Sequence, residues 1–419
     1  MTRNLRLHPE IFRSGLLGFS AYVVHHPEYV GHVLSSNARN YVKFEKYRYL
    51  RYIGGNGLVT NEGESWVRQR RLVQPAFRRD ALDRSLPLIV DETAAMIARL
   101  RDPAGMTVDI AEVMAELTLA IAARSLFSSD VGGSTALIRN ELDVAQRRGN
   151  VLLRIPLPLY RVAPWIPYLN RPVRSGHVLR GVVARIIDAR RASPNPPDDL
   201  LTTLLAARDD ASNEGMTDEQ LRDEVLTLLL GGHETTLHAM TWSFYLLAQD
   251  LAASERLSAE ADGIGDRTTT TTGELESLRW AAAVAREALR LYPPVYIIGR
   301  TAIDDDRLEP FAVPSGTNVM VNIYGLHRHP AYWSDPDAFR PERMLDPAAY
   351  DPARLVYIPF GAGPRGCIGF RFSLYEMQVI LTMFARAFRL ELVSRVPVVP
   401  SPQFTLKSAA PVRLRLVPR

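Results

Sequence analysis

Apolar positions recur three and four residues apart along most of the chain, the spacing that places them on one face of an α-helix. The pattern predicts helices over 62–78, 85–101, 108–127, 134–150, 173–192, 218–249, 275–291 and 370–387. The longest is 218–249. Thr217 and Gln220 make a capping box at its start, and at 1.5 Å per residue it would run roughly 48 Å, enough to cross a domain. Strand signals are short. Phe19 to Val24 reads as a strand, His26-Pro27-Glu28 then opens a helix, and strand-like pieces with turn signals fill 295–323. Three stretches break both periods. Residues 41–60, with Gly54, Gly55 and Gly57 among aromatics, read as a long flexible loop. Residues 154–172 hold Pro156, Pro158, Pro164, Pro167 and Pro172, so they cannot form one helix and read as a lid or as a loop on the core. Residues 263–273 read as a polar, threonine-rich loop.

The expected class is mainly α with minor β. A length of 419 residues suggests two or three domains. No linker or internal repeat divides the pattern, so one large domain over 1–419 is expected. A hydrophobic fraction of 47% and a charged fraction of 23% exclude a disordered chain. The net charge of +4 is too mild to argue a nucleic-acid partner. With lysine only at 43, 46 and 407, the positive charge is nearly all arginine. No run of about 18 apolar residues predicts a transmembrane helix. Met1 to Glu10 is not followed by the apolar core of a signal peptide. A cytoplasmic protein is expected.

The chain has one cysteine, Cys367. That excludes an intrachain disulfide and any Cys-rich zinc or iron–sulfur site. It leaves an inert core residue, a nucleophile or a lone thiolate ligand. The surrounding segment 360–369 holds four glycines and a proline, so its backbone can approach a flat ligand closely. Cys367 also sits just before the last predicted helix, where free amides and the helix dipole stabilise a thiolate, and Arg365 adds a cation. In the long helix, Gly231-Gly232-His233-Glu234-Thr235-Thr236 places two glycines that each cost about 1 kcal/mol against alanine. Either close helix packing or room for a ligand, with local opening of the helix, must compensate. The acid and hydroxyl that follow can relay protons. Glu287 and Arg290 form an i, i+3 pair that means little alone. Trp66 and Arg70 share a helix face and are suitable donors for a carboxylate, though each arginine alone also reads as a solvated charge.

Residues 360–369 resemble, position for position, the haem-binding signature F-x-x-G-x-R-x-C-x-G of the cytochrome P-450 family. Residues 231–236 resemble its [AG]-G-x-[DE]-T-T motif, Glu287 to Arg290 its E-x-x-R, Pro341-Glu342-Arg343 its P-E-R, and Trp66 to Arg70 its W-x-x-x-R. The motifs come in family order over nearly the whole chain. The stretch His327-Arg328-His329-Pro330 with Trp333 looks closer to the eukaryotic-type and fatty-acid-hydroxylating branches. Met344 stands where an aromatic usually follows P-E-R, which touches packing more than chemistry. The chain starts close to the family's first strand, so the resemblance implies an abbreviated N-terminus.

The resemblance implies a single cytochrome P-450 fold with a long central helix over haem b and a small β region. It implies a haem-thiolate monooxygenase, an oxidoreductase with Cys367 as axial ligand of the iron. Phe360 would pack near the sulfur and Gly369 completes the signature. Trp66, Arg70, Arg300 and Arg365 would contact the propionates. Thr235 would hydrogen-bond dioxygen on the iron or its water, and Glu234 would deliver protons; His233 occupies the variable position. Glu287, Arg290 and Arg343 would brace the fold. Substrate would face the 41–58 loop, Gly231, Val295 to Ile298, and Phe404. The implied partners are O₂, a small apolar substrate of aromatic or terpenoid type from secondary metabolism, and a ferredoxin or flavodoxin with its reductase. Arginines on the Cys367 side suit an acidic carrier. A monomer is expected. The same haem chemistry also serves oxidative ring closure or C–N or C–C coupling without oxygen insertion. A haem sensor or carrier without turnover is the alternative of another class; the intact Glu234–Thr235 pair argues against it and against a peroxide-driven variant.

Overall fold

A computed structural model of the chain describes residues 10–16, 19–128, 137–138, 140–142, 144–145, 170–209, 212–264, 271–393 and 396–419. The start of the chain, most of the predicted 134–150 helix, nearly all of the 154–172 proline segment and most of the threonine loop lie outside the described residues.

The long helix forms over Asp218–Leu247, with both halves of the Thr217–Gln220 capping box in place and Asp218 and Glu219 in the first turn, where the helix dipole favours them. Its thirty residues span about 45 Å. From Leu237 to Leu247 every residue is buried, so this half has no solvated face and lies within the core. It packs across the helix Ile110–Phe127, and Trp242 stacks on Tyr292 with ring centroids 3.9 Å apart. The last helix, Phe370–Ala387, is packed against Arg79–Leu100, Leu251–Asp262 and Arg279–Leu291.

The main sheet has the order Ile11–Leu16, Phe19–Val24, Asn318–Val321, Ile298–Ala302, Tyr41–Lys43. Only the pairing of Phe19–Val24 with Asn318–Val321 is parallel. A second sheet joins Met106–Asp109, Arg413–Pro418 and Phe388–Leu392. A hairpin pairs Pro400–Pro402 with Leu406–Ser408 and touches the long helix. No helix among the described residues is long and apolar enough to cross a membrane.

Three segments differ from the sequence reading. The 275–291 helix is two, Thr272–Ser277 and Arg279–Leu291, broken at Leu278. The second has its own cap: the Glu260 carboxylate accepts from the Trp280 and Ala281 amides at 2.7 and 2.8 Å, replacing the preceding turn. Residues 41–60 are not a flexible loop. They form the strand Tyr41–Lys43, a 3-10 turn at Glu45–Tyr49 and the helix Leu50–Gly54, then a turn pressed on the long helix. A Cβ on Gly55 or Gly57 would fall about 2 Å from Asp223 or Thr227, so the glycines there serve close approach. Finally, the helix placed at 62–78 ends at Val73, where Pro75 starts a 3-10 turn, Gln74–Phe77.

Candidate functional site

The turn before the last helix is shaped by glycine. Gly361 and Gly363 sit at φ 74° and 69°, and a Cβ on Gly363 would land 1.8 Å from the Leu34 carbonyl oxygen. The Cys367 amide donates to the Phe360 oxygen at 2.8 Å, which turns the chain back on itself and sets the cysteine three residues ahead of Phe370. The Cys367 side chain is exposed on one side to a concavity of about 780 Å³. The dense loop around it pushes the thiol pKa up, while the Gly369 amide and the Arg70 charge act the other way and favour thiolate.

Arg70 donates to the Gly366 oxygen at 3.0 Å and so steadies the residue before Cys367. Trp66 donates its indole N–H to the Leu58 oxygen at 3.2 Å, and its ring carries Arg365 at 5.0 Å from the centroid. Arg365 pairs with Glu62, yet its Nη1 is buried without a partner. Arg300 is buried and donates only to the neighbouring Gly299 oxygen among the contacts seen. Lys43 stands opposite Arg300 in the strand register. Burial and the nearby Arg365, Arg300 and Arg51 push the Lys43 ammonium down to about 7 against the opposing pull of Glu62. Lys43, Arg51, Arg300 and Arg365 thus crowd around the one carboxylate of Glu62, which is unfavourable unless a further anion joins them.

The long helix supplies the opposite set. It runs unbroken through Gly231 and Gly232, so the local opening is not seen. A Cβ on Gly231 would meet nothing within 4 Å, and one on Gly232 only Ala122 at 3.9 Å. Protein packing therefore does not require the glycine at 231; it leaves an open flank. Thr235, one turn on, donates its hydroxyl to the Gly231 oxygen at 2.6 Å. Glu234 is buried and accepts from the Thr405 hydroxyl at 2.8 Å. His233 is held by Thr118, whose hydroxyl lies 2.9 Å from Nδ1.

Of the residues expected from sequence to face substrate, Phe404 and the Val295 to Ile298 segment are brought side by side. The Leu406 amide donates to Pro294, and the Tyr296 hydroxyl to Gln403, so the hairpin tip with Phe404 lies against the Val295 to Ile298 segment. Ile298 Cδ1 is 3.4 Å from the position of a Gly361 Cβ, and Leu230, beside Gly231, is 3.2 Å from that of a Gly54 Cβ. Glu287, Arg290 and Arg343 form a separate buried network. Glu287 pairs with Arg290 at 2.8 Å and with Arg343 at 3.1 Å, and Arg290 also donates to the His327, Pro336 and Ala338 oxygens. Phe360 packs at the edge of the main core, 6.2 Å from the Phe370 ring. Sequence reasoning missed Lys43, Glu62 and Thr405. Glu62 carried a weak signal, one helical turn before Trp66; the other two are placed by strand and hairpin pairing that spacing does not show.

A family model described as Cytochrome P450 matches residues 1–415. The chain belongs to the cytochrome P450 family. It is 35% identical to cytochrome P450 132 of Mycobacterium tuberculosis, over 88% of this chain and 82% of that protein. It is 34% identical to cyclooctatin synthase of Streptomyces melanosporofaciens, over 95% and 86%. It is 30% identical to pentalenene oxygenase of Streptomyces avermitilis, over 99% and 92%. The P450 is an oxidoreductase whose family binds haem b. The residues fit that group. A lone cysteine at the end of the glycine turn suits the iron, and Arg300 and Arg365, the latter with an Nη1 that has no partner among the described residues, suit carboxylates.

Proposed function

We propose that this P450 is a monooxygenase that hydroxylates an apolar, terpenoid-like molecule of secondary metabolism: RH + O₂ + 2e⁻ + 2H⁺ → ROH + H₂O. The observation that carries it is the open flank at Gly231 with the Thr235 hydroxyl one turn away and the Glu234 carboxyl next to it. Three relatives named cyclooctatin synthase, cyclooctat-9-en-7-ol 5-monooxygenase and pentalenene oxygenase support the substrate class.

Cys367 would hold haem through its sulfur, with Arg70, Arg300 and Arg365 meeting the propionates. Trp66 would serve chiefly as the platform under Arg365, since its N–H is committed to Leu58. Bound through a thiolate, haem supplies O₂ activation with O–O cleavage. The chain's own residues manage water and protons. Thr235 donates its hydrogen bond to the Gly231 carbonyl, which turns its lone pairs outward to accept. Glu234, buried beside it, passes protons inward. Ile298, Val295 and Phe404 keep the substrate side apolar.

Electrons would come from an acidic ferredoxin or flavodoxin with its reductase. The concavity reaching Cys367 is lined by six arginines, among them Arg78, Arg208 and Arg371, against one acid, Asp209, that already pairs with Arg71. We further read 1–419 as one monomeric, cytoplasmic domain.

The test has two arms. The reduced protein with CO should show the long-wavelength band of thiolate haem, lost in Cys367→Ala; an imidazole-type spectrum in the parent chain overturns the ligand. Turnover of cyclic terpenes under ¹⁸O₂ should place one labelled atom in product; unlabelled, dehydrogenated or coupled product overturns hydroxylation.

A further inference from the structure

Glu234 reaches its place through a contact 171 positions away. The Thr405 hydroxyl donates to Glu234 Oε1 at 2.8 Å, and both side chains are buried. A glutamate side chain has several rotamers, so an acid in a helix needs a partner to fix where its carboxyl lies. One such partner here lies far from the neighbouring turns. It sits at the tip of the hairpin formed by Pro400–Pro402 and Leu406–Ser408, next to Phe404.

That tip is itself fastened. The Trp242 indole donates to the Leu406 oxygen at 3.0 Å, the Leu406 amide to Pro294 at 2.9 Å and the Tyr296 hydroxyl to Gln403 at 2.8 Å. Within the tip the Gln403 amide donates to the Thr405 oxygen at 3.1 Å. Phe404 is 37% exposed while Thr405 beside it is 2% exposed. One residue of the tip thus looks outward to the substrate-facing region, and the next holds the acid.

We infer that Thr405 is a positioning residue for proton delivery: its hydroxyl fixes the Glu234 carboxyl, and the hairpin that carries it couples that acid to the substrate-facing Phe404. The inference rests on the reading of Glu234 as the proton-delivering acid.

The test uses the haem-loaded enzyme. Thr405→Val keeps the shape and removes the hydroxyl; Thr405→Ser restores it, and Thr405→Ala serves if valine lowers the melting temperature. The infrared band of the Glu234 carboxyl, identified by its loss in Glu234→Gln, should move in Thr405→Val, where the hydrogen bond is gone, and return in Thr405→Ser. In the second readout, a plant ferredoxin and its NADPH-dependent reductase drive O₂ consumption without substrate. Incomplete proton delivery then releases H₂O₂ (O₂ + 2e⁻ + 2H⁺) in place of two waters (O₂ + 4e⁻ + 4H⁺). Thr405→Val should raise the H₂O₂ share several-fold, towards Glu234→Gln, and the double variant should add nothing further. An unmoved band, or an unchanged H₂O₂ share beside a raised one in Glu234→Gln, overturns the role of Thr405. An unchanged share in Glu234→Gln itself overturns the proton-delivery reading, and this inference with it.

Discussion

Gly231→Ala separates two reasons for a glycine in a long helix. If close packing demanded it, a methyl would clash and the fold would weaken. The site of that methyl has no atom within 4 Å, so alanine should gain its helix propensity, about 1 kcal/mol over glycine, with no steric charge against it. An unfolding entropy of about 2.1 cal/mol/K per residue gives about 0.9 kcal/mol/K for a chain of this length, so the gain moves the melting midpoint by only about 1 °C. Urea titration followed by far-UV circular dichroism is therefore the better assay. The same methyl should enter the ligand space. Binding of 4-phenylimidazole to the haem-loaded enzyme, read from its spectral shift, should weaken about 10-fold, in the range that one methyl group decides in an apolar pocket. Imidazole, lacking the phenyl ring, should bind nearly as before. A loss of 1 kcal/mol or more in stability, with both ligands unaffected, would refute the reasoning.

Further expectations follow from single residues. Glu287→Gln keeps the shape but leaves Arg290 and Arg343 as buried cations, a change of about 3–5 kcal/mol; denaturant unfolding should show it, and an unchanged midpoint speaks against the network. Gly363→Ala drives a methyl into the Leu34 carbonyl at a positive φ; the ratio of haem to protein after purification should fall, and a full ratio would mean the turn adapts. Burial holds Glu376 up at about 8 against a usual 4.5. Between those values the folded state keeps a proton that the unfolded chain releases, so stability falls as pH rises, by at most about 1.4 kcal/mol per unit. Glu376→Gln should flatten that slope in urea titrations from pH 5.5 to 8; an unaltered slope assigns it to other groups, of which buried Glu224 is one.

How far the sequence carried depended on the range of the forces involved. The long helix was legible because its cap is local: Thr217 and Gln220 are three residues apart and both bonds form. The cysteine turn was legible because the positive φ of Gly361 and Gly363 is a local demand, to which Leu34 adds a distant one at Gly363. The break at Leu278 was not, because the carboxylate that starts the next helix belongs to Glu260. The order in residues 41–60 was hidden for a similar reason. Gly55 and Gly57 look like flexible positions until Asp223 and Thr227 of the long helix arrive against them. Of the site, the residues carried by motifs were in hand, while Lys43, opposite Arg300, and Thr405, on Glu234, depend on pairings across roughly 170 to 260 positions, which no spacing rule reaches.

The parallel seam of the main sheet bears on how the chain is made. Asn318 donates its side-chain amide to the Ser20 oxygen, 298 positions earlier, and Phe19–Val24 has no other partner on that side. At about 5–20 residues per second of synthesis, the first hairpin would wait about 15 to 60 s on the ribosome for its neighbour, with an unpaired edge exposed meanwhile. Anything that slows translation between those strands should lower the yield of folded enzyme without altering a single contact in the finished one.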